Sequence, residues 1–395
     1  MVQKPLHGLK VLDLTRVLAG PYATMILADM GANVIKVEMP GRGDDSRAFG
    51  PFLPDGTSAY FASLNRGKKS ITLNLKKEKA REIFLELVKT SDVLVENFRP
   101  GTMEKLGLGY EKLKEVNPRL IYAASSGFGQ TGPYREKPAY DMIVQGMGGI
   151  MSITGEPGRP PVRVGVSIGD ITAGLFTVIG ILTALYQREE TGVGQMVDVS
   201  MLDCQIAILE NAIARYAVNR EVPGPLGTRH PSITPFQAYP TQDGYVIVAC
   251  GNDTLWEKFC RAIKKEELLA DERFATNPLR TKNVEILEEI LKPVFQEKTT
   301  AEWLVILENA GVPAGPINTV DKLFDHPQVL ARDMLKEVIT PAGDRLVAAN
   351  NPIKLSYADT NLNPVVPALG EHTREVLESL GFGDKYDDLV AEGVI

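Results

Sequence analysis

Apolar and polar positions in the first two hundred residues alternate between short apolar runs and helix-spaced segments. Lys10–Leu14 (KVLDL), Asn33–Glu38 (NVIKVE), Ser70–Leu75 (SITLNL), Asp92–Asn97 (DVLVEN), Leu120–Gly129 (LIYAASSGFG) and Met196–Ser200 (MVDVS) read as strands. Pro21–Met30 and Glu78–Lys89 carry helical spacing between them. Apolar strands separated by helices of about ten residues predict a parallel sheet covered on both faces, an α/β fold. Two longer helical patterns follow, Ile171–Gln187 and Leu202–Asn219.

Beyond the Pro/Gly cluster at 222–227 the texture changes. Two short β runs, Phe236–Tyr239 and Tyr245–Ala249, precede helices near Leu255–Ile263, Val284–Gln296 and Thr300–Ala310, which together predict a smaller α+β domain. Asp325–Met334 reads as helical, 336–355 as short strands and Thr373–Gly381 as a last helix.

Composition narrows the function classes. The 395 residues hold 43 Lys/Arg and 50 Asp/Glu, a net charge of −7, with 44% hydrophobic residues. That balance excludes disordered, collagenous and coiled-coil chains and argues against a general nucleic-acid binder. Cys204, Cys250 and Cys260 are scattered, and the four histidines show no metal-binding spacing, so neither a disulfide framework nor a metal site is expected. The longest apolar stretch, Ile171–Leu185, is 15 residues, short for a bilayer span, and the N-terminus lacks a signal-peptide core. A cytoplasmic protein with no membrane partner is expected.

Several residues are candidates for chemistry, each with a plainer reading beside it. Glu38 ends the second strand where a dinucleotide-binding acid would sit, but the turn after the first strand reads TRVLAGP rather than GxGxxG, which disfavours a nicotinamide cofactor. Residues 60–120 carry 13 Lys/Arg against 8 Asp/Glu, with NRGKKS and ENFRPG beside strands. This is either a solvated basic face or a site for an anionic cofactor. Asp170 stands between two apolar runs: it is the N-cap of a helix starting at Ile171, a partly buried carboxylate nucleophile, or both. Gly165 and Gly169 would let a ligand approach the backbone there. Tyr140 reads as a core aromatic, Gly251-Asn252-Asp253 as a turn able to cover a site, and His230 as a structural loop residue.

The segments GLKVLDLTRVLAGPYATMILADMGANVIKVE, NRGKKSITLNLK, ENFRPGTMEKLGLGYEKLKEVNPRLIYAASSGFGQTGPY and that around Asp170 resemble the family III CoA-transferases, the CaiB/BaiF group. RHPSITPFQAYPTQDGYVIVACGND, DHPQVLARDM and LGEHTREVLESLG extend the likeness over nearly the whole chain. The resemblance implies a Rossmann-like large domain built from both chain ends plus a small α+β domain. Residues 1–200 would form the N-terminal part of the large domain, 201–228 a linker helix and loop, 229–325 the small domain, and 326–395 a return linker with the C-terminal part of the large domain. It also implies an interlocked homodimer, with acyl-CoA and carboxylic acids as substrates and no tightly bound cofactor.

By the same resemblance Asp170 falls on the catalytic aspartate, and Val17, Asn97 and Phe98 on CoA-contact positions. Lys105 and Met39 stand where the formyl-CoA enzyme has CoA-binding arginines; Lys105 keeps the charge without the fork geometry. The related racemases carry a histidine at the position of Tyr140, and the resemblance puts their glutamate on Asn252. A tyrosine with an ordinary pKa near 10 and an amide make a poor two-sided base pair, so racemisation of a 2-methylacyl-CoA is the disfavoured alternative. Leu18 replaces a glutamine of the formyl-CoA:oxalate enzyme, whose glycine-rich loop is also longer than Gly251-Asn252-Asp253. The expectation therefore leans away from oxalate towards a short dicarboxylate such as succinate.

Overall fold

The structure, a computed structural model, describes residues 3–395 and divides into two compact units. The larger comprises the chain up to Met151, Arg163–Glu221 and Pro327–Ile395; the smaller comprises Ser152–Val162 and Val222–His326. Residues 201–221 thus fold with the larger unit and 152–162 with the smaller.

In the larger unit the chain runs β1 (Lys10–Asp13), α1 (Ala19–Asp29), β2 (Asn33–Glu38), α2 (Ala59–Asn65), β3 (Lys69–Thr72), α3 (Glu78–Lys89), β4 (Val93–Glu96), α4 (Thr102–Lys105), α5 (Tyr110–Val116), β5 (Ile121–Ser126), α6 (Asp141–Met147), α7 (Ile168–Thr191), β6 (Met196–Ser200), α8 (Met201–Ala207) and α9 (Asn211–Asn219). The six strands form one parallel sheet in the order β3-β2-β1-β4-β5-β6. Period-two alternation sorts their side chains: Leu12, Leu94 and Tyr122 join one core with Phe84 and Leu113, while Val11, Val93 and Ile121 join another with Leu27, Val178 and Ile181. Both faces are therefore dry, which is why the strands read as unbroken apolar runs.

α7 runs from Ile168 to Thr191 and is capped by Gly192 in the left-handed region, so it has 24 residues rather than the expected 17. Against the expectation from the apolar run, it is long and apolar enough by length and composition to cross a bilayer, the one such helix among the described residues. One face of it lies in the core of the unit: Val178, Ile181 and Ala184 pack with Ala23 and Leu27 of α1. A Cβ on Gly174 would lie 2.8 Å from the Ala19 carbonyl oxygen, so glycine permits the close crossing with α1. The single helix expected over 202–219 is two helices, because Glu210 takes φ +51° between α8 and α9.

The smaller unit holds an antiparallel sheet of β7 (Phe236–Pro240), β8 (Tyr245–Ala249) and β9 (Ala314–Pro316) with α10 (Asp253–Ala262), α11 (Asn277–Lys282), α12 (Val284–Phe295) and α13 (Thr300–Asn309). Phe259, Phe295, Trp256 and Trp303 fill its core. The chain then returns to the larger unit as α14 (Pro327–Ala331), the hairpin β10 (Leu335–Ile339) and β11 (Arg345–Ala349), α15 (Thr373–Ser379) and α16 (Tyr386–Ala391). Val376, Leu377, Leu389 and Val394 complete the first core of the parallel sheet.

Candidate active site

β1 and β4 are neighbours at the centre of the sheet, and strand order reverses direction between them. In an open parallel sheet the loops leaving such a pair diverge and open a crevice at the carboxyl ends, the usual place for a ligand. Here the turn after β1 is held by the loop after β4. The Arg16 N–H donates to Asn97 Oδ1 at 2.8 Å, and Asn97 Nδ2 donates to the Arg16 carbonyl at 2.8 Å. The next N–H, of Val17, donates to Asp44 Oδ1 at 3.1 Å. Val17 has φ +70°, a conformation that costs a β-branched residue on the order of 1–3 kcal/mol and persists only where its surroundings impose it.

Buried ions support this turn from below. Lys36 Nζ donates to the Thr15 carbonyl at 2.7 Å and pairs with Asp44 at 2.9 Å, both side chains fully enclosed. Lys68 Nζ reaches Asp13 at 3.0 Å, Thr24 Oγ1 and Asn65 Oδ1 at 2.8 Å, and the Pro21 carbonyl at 3.2 Å. Burial pushes the Asp13 and Asp44 carboxyls up, but their lysines, together with hydrogen bonds from Thr15 and Thr24 to Asp13 and from Ser46 to Asp44, outweigh it and hold both below the usual range. Part of the basic stretch is therefore no solvated face: Arg66, paired with Asp29 at 2.9 Å, and Lys68 are each 3% exposed. Glu38 is likewise engaged, by Arg47 at 2.7 Å and by Ser70 Oγ at 2.7 Å.

Asp170 is the third residue of α7, and the helix starts three residues earlier than the sequence suggested, so it is not the N-cap. The capping role falls to Asp141, whose Oδ1 accepts the Gly169 N–H at 2.8 Å while Gln145 Nε2 donates to its Oδ2 at 2.7 Å. Burial first, and then the negative charge of Asp141, push the Asp170 carboxyl up to about 7. In contrast with Asp13, no cation offsets these effects. Val17, Leu18, Asn97, Phe98 and Tyr140 line the same cavity as Asp170. Tyr140 is 76% exposed, so it is not the core aromatic that its plain reading gave.

A second cavity is lined by Met39, Lys105, Arg42 and Lys76, and Phe98 lines both. Phe98 is fixed from behind: its N–H donates at 2.7 Å to the buried Glu96 carboxyl, which burial pushes up to about 7. Gly251, Asn252 and Asp253 belong to the smaller unit. There Asn252 caps α10 by accepting the Leu255 N–H at 2.9 Å, and Asp253 pairs with the buried Arg280 at 2.6 Å. His230 stacks on Phe236 with ring centroids 5.2 Å apart, as a loop-forming residue would.

Sequence reasoning passed over several members of the site. Arg16, Arg99 and Lys137 line the Asp170 cavity and bring positive charge to it. Ser125 lines it too, with a buried Oγ that has no hydrogen-bond partner among the described residues. Tyr60, on α2, has its hydroxyl pushed up to about 12 by burial, with Asp170 the largest charge acting on it. Arg99, in the basic ENFRPG stretch, and Lys137, just after a Gly-rich turn, carried a local signal; Tyr60 arrives from an unrelated segment.

Chemically, the cavity offers a carboxylate that no ion pair compensates, with cations elsewhere on its walls, suited to attack on an activated acyl group bearing anionic handles. Known proteins agree. The sequence pattern of "CoA-transferase family III" matches residues 6–373. The acetyl-CoA:oxalate CoA-transferase of Acetobacter aceti is 47% identical over 93% of this chain and 93% of its own. The human succinyl-CoA:glutarate CoA-transferase is 40% identical over 99% of this chain and 90% of its own. A CAIB/BAIF family protein from Brucella suis, known from its crystal structure, superposes with a TM-score of 0.85 at 44% identity, over 96% of this chain and 100% of that one. At that coverage and identity, the chain belongs to CoA-transferase family III.

Proposed function

We propose that the enzyme moves CoA from an acyl-CoA thioester to a free dicarboxylic acid through covalent intermediates on Asp170. The observation that carries this reading is the Asp170 carboxylate itself, raised to about 7 at a cavity shared with Val17, Asn97 and Phe98. Asp170 attacks the donor thioester, forming an aspartyl–acyl anhydride and releasing CoA thiolate. The thiolate attacks the aspartyl carbonyl, giving an aspartyl-CoA thioester and the first free acid. The acceptor carboxylate then attacks that thioester, and the released thiolate takes the acceptor's acyl group, restoring the Asp170 carboxylate. A carboxylate with raised affinity for protons is the stronger nucleophile when ionised.

Succinate as one partner is supported by the human relative, which acts on succinyl-CoA and glutarate. Oxalate, which Leu18 argued against, gains support from the Acetobacter relative and belongs in the same panel. A working homodimer is supported by apolar side chains left on the surface of α6, α7 and α9, among them Met142, Ile143, Ile179 and Ile213. Three free, buried cysteines suit a reducing cytoplasm.

The test is a matrix of acyl-CoA donors against free dicarboxylates, scored by mass spectrometry for new CoA esters. Asp170→Ala is expected to lower exchange by at least about 1,000-fold, as loss of a covalent nucleophile does, while CoA-ester binding survives. Substantial exchange by that variant would refute the covalent route. Deuterium uptake from heavy water into a chiral 2-methylacyl-CoA, without new esters, would move the enzyme to racemisation.

A further inference from the structure

We infer that the Asn97 carboxamide is a positioning group rather than a CoA ligand: with Asp44 it locks Val17 in the left-handed conformation and so fixes the turn that faces Asp170. Both ends of the carboxamide are engaged by the backbone of one residue: the Arg16 N–H donates to Oδ1 and Nδ2 donates to the Arg16 carbonyl, each at 2.8 Å. That reciprocal pair sets the plane of the amide and the orientation of Arg16 together. Asp44 takes the next N–H, and is itself anchored by the Ser46 N–H at 2.9 Å, Ser46 Oγ at 2.8 Å and the enclosed Lys36 at 2.9 Å.

Glycine would adopt φ +70° freely, whereas a valine there must be held by its surroundings. Three hydrogen bonds to two consecutive residues supply that restraint, and they come from two separate loops. What they restrain matters because Arg16, Val17, Leu18 and Ala19 form one wall of the cavity containing Asp170. The Ala19 carbonyl in turn abuts Gly174, one helical turn beyond Asp170, so the turn and the reacting carboxylate are tied through direct packing. If Asn97 lets go, Val17 is free to relax towards negative φ and that wall moves. The inference rests on Asp170 being the reacting group.

The experiment compares wild type, Asn97→Ala, Val17→Gly and the double variant by steady-state CoA exchange, by calorimetric CoA binding, and by amide hydrogen exchange over residues 14–19. Asn97→Ala is expected to lower kcat by about 10- to 100-fold, the effect of a displacement of about 1 Å at a reacting centre. The Kd for CoA should change by less than about threefold, because no ligand contact is removed. On the Val17→Gly background the same replacement should cost at least about fivefold less, since glycine holds the conformation unaided and the two sites are coupled. The Arg16 and Val17 amides should exchange faster in Asn97→Ala, with the thermal melt showing the fold intact. A rise in Kd of about tenfold or more with kcat preserved would make Asn97 a ligand and overturn the inference. An equal loss on both backgrounds would also overturn it. Should Asp170→Ala retain exchange, the nucleophile reading fails, and amide exchange at Arg16 and Val17 still decides the lock.

Discussion

Two groups of carboxylates, buried except for the half-buried Asp170, lie around the crevice of the same sheet and behave in opposite ways. Beneath the Val17 turn, Asp13 and Asp44 are enclosed with Lys68 and Lys36 and are held ionised. Across the crevice the charge that acts on Asp170 is the like charge of Asp141, and among the described residues Glu96 has no cation bonded to it; both are pushed up to about 7. Burial raises all four, so the difference comes from where lysines are supplied and where they are withheld. Paired carboxylates make a rigid shelf, and unpaired ones remain able to change protonation state and, at Asp170, to react.

Removing a cation from the shelf would break this contrast most severely. Lys68→Met leaves Asp13 buried without the cation of its ion pair, and the expected destabilisation is about 3–5 kcal/mol, read from urea unfolding. A loss below about 1 kcal/mol would mean that the pair contributes no more than a surface one.

The pH profile tests the other side. Asp170 must be ionised to attack, so kcat/KM should fall about tenfold per pH unit below its value of about 7 and level off above it. A profile flat down to pH 5 would show that the carboxylate is not raised in the working enzyme.

Stability should move in the opposite sense at that residue. Its folded pKa lies above the unfolded value of 3.8, so the folded state holds the proton more tightly, and stability is lost as pH climbs from about 4 through about 7. Asp170→Asn removes that penalty. The variant should be more stable than wild type by about 2 kcal/mol at pH 8, allowing for solvent screening of a part-exposed side chain, and by almost nothing at pH 4. Equal stability at both pH values would show that the site carries no such strain.

How far the sequence foretold this depended on the range of the interaction. β1, β2, β4, β5 and β6 were legible because burial on both faces leaves runs such as DVLVEN with almost no polar interruption. Asp170 was visible as an acid amid apolar residues, but its place in the helix was misjudged by three positions. The group that caps the helix, Asp141, acts across 28 residues of chain and leaves no local trace. NRGKKS misled for a similar reason: periodicity cannot show that Asp29 and Asp13 wait to neutralise Arg66 and Lys68 in the interior. The break at Glu210 was hidden because neither glycine nor proline marks it. Asn97 was legible as a site residue, while its bonds to the Arg16 backbone were not.

The return of the chain to the first core shapes how the molecule is made. During synthesis the face carrying Leu12, Phe84 and Leu94 leaves the ribosome with no cover from Val376, Leu389 and Val394. At about 5–20 residues per second, that face waits on the order of 15–60 s while the rest of the chain is translated. The smaller unit, mostly encoded by one continuous stretch, can close in the meantime. The nascent chain therefore passes through a stage in which one half of a sheet is sticky, and chaperone capture at that stage would govern yield more than the stability of the finished enzyme.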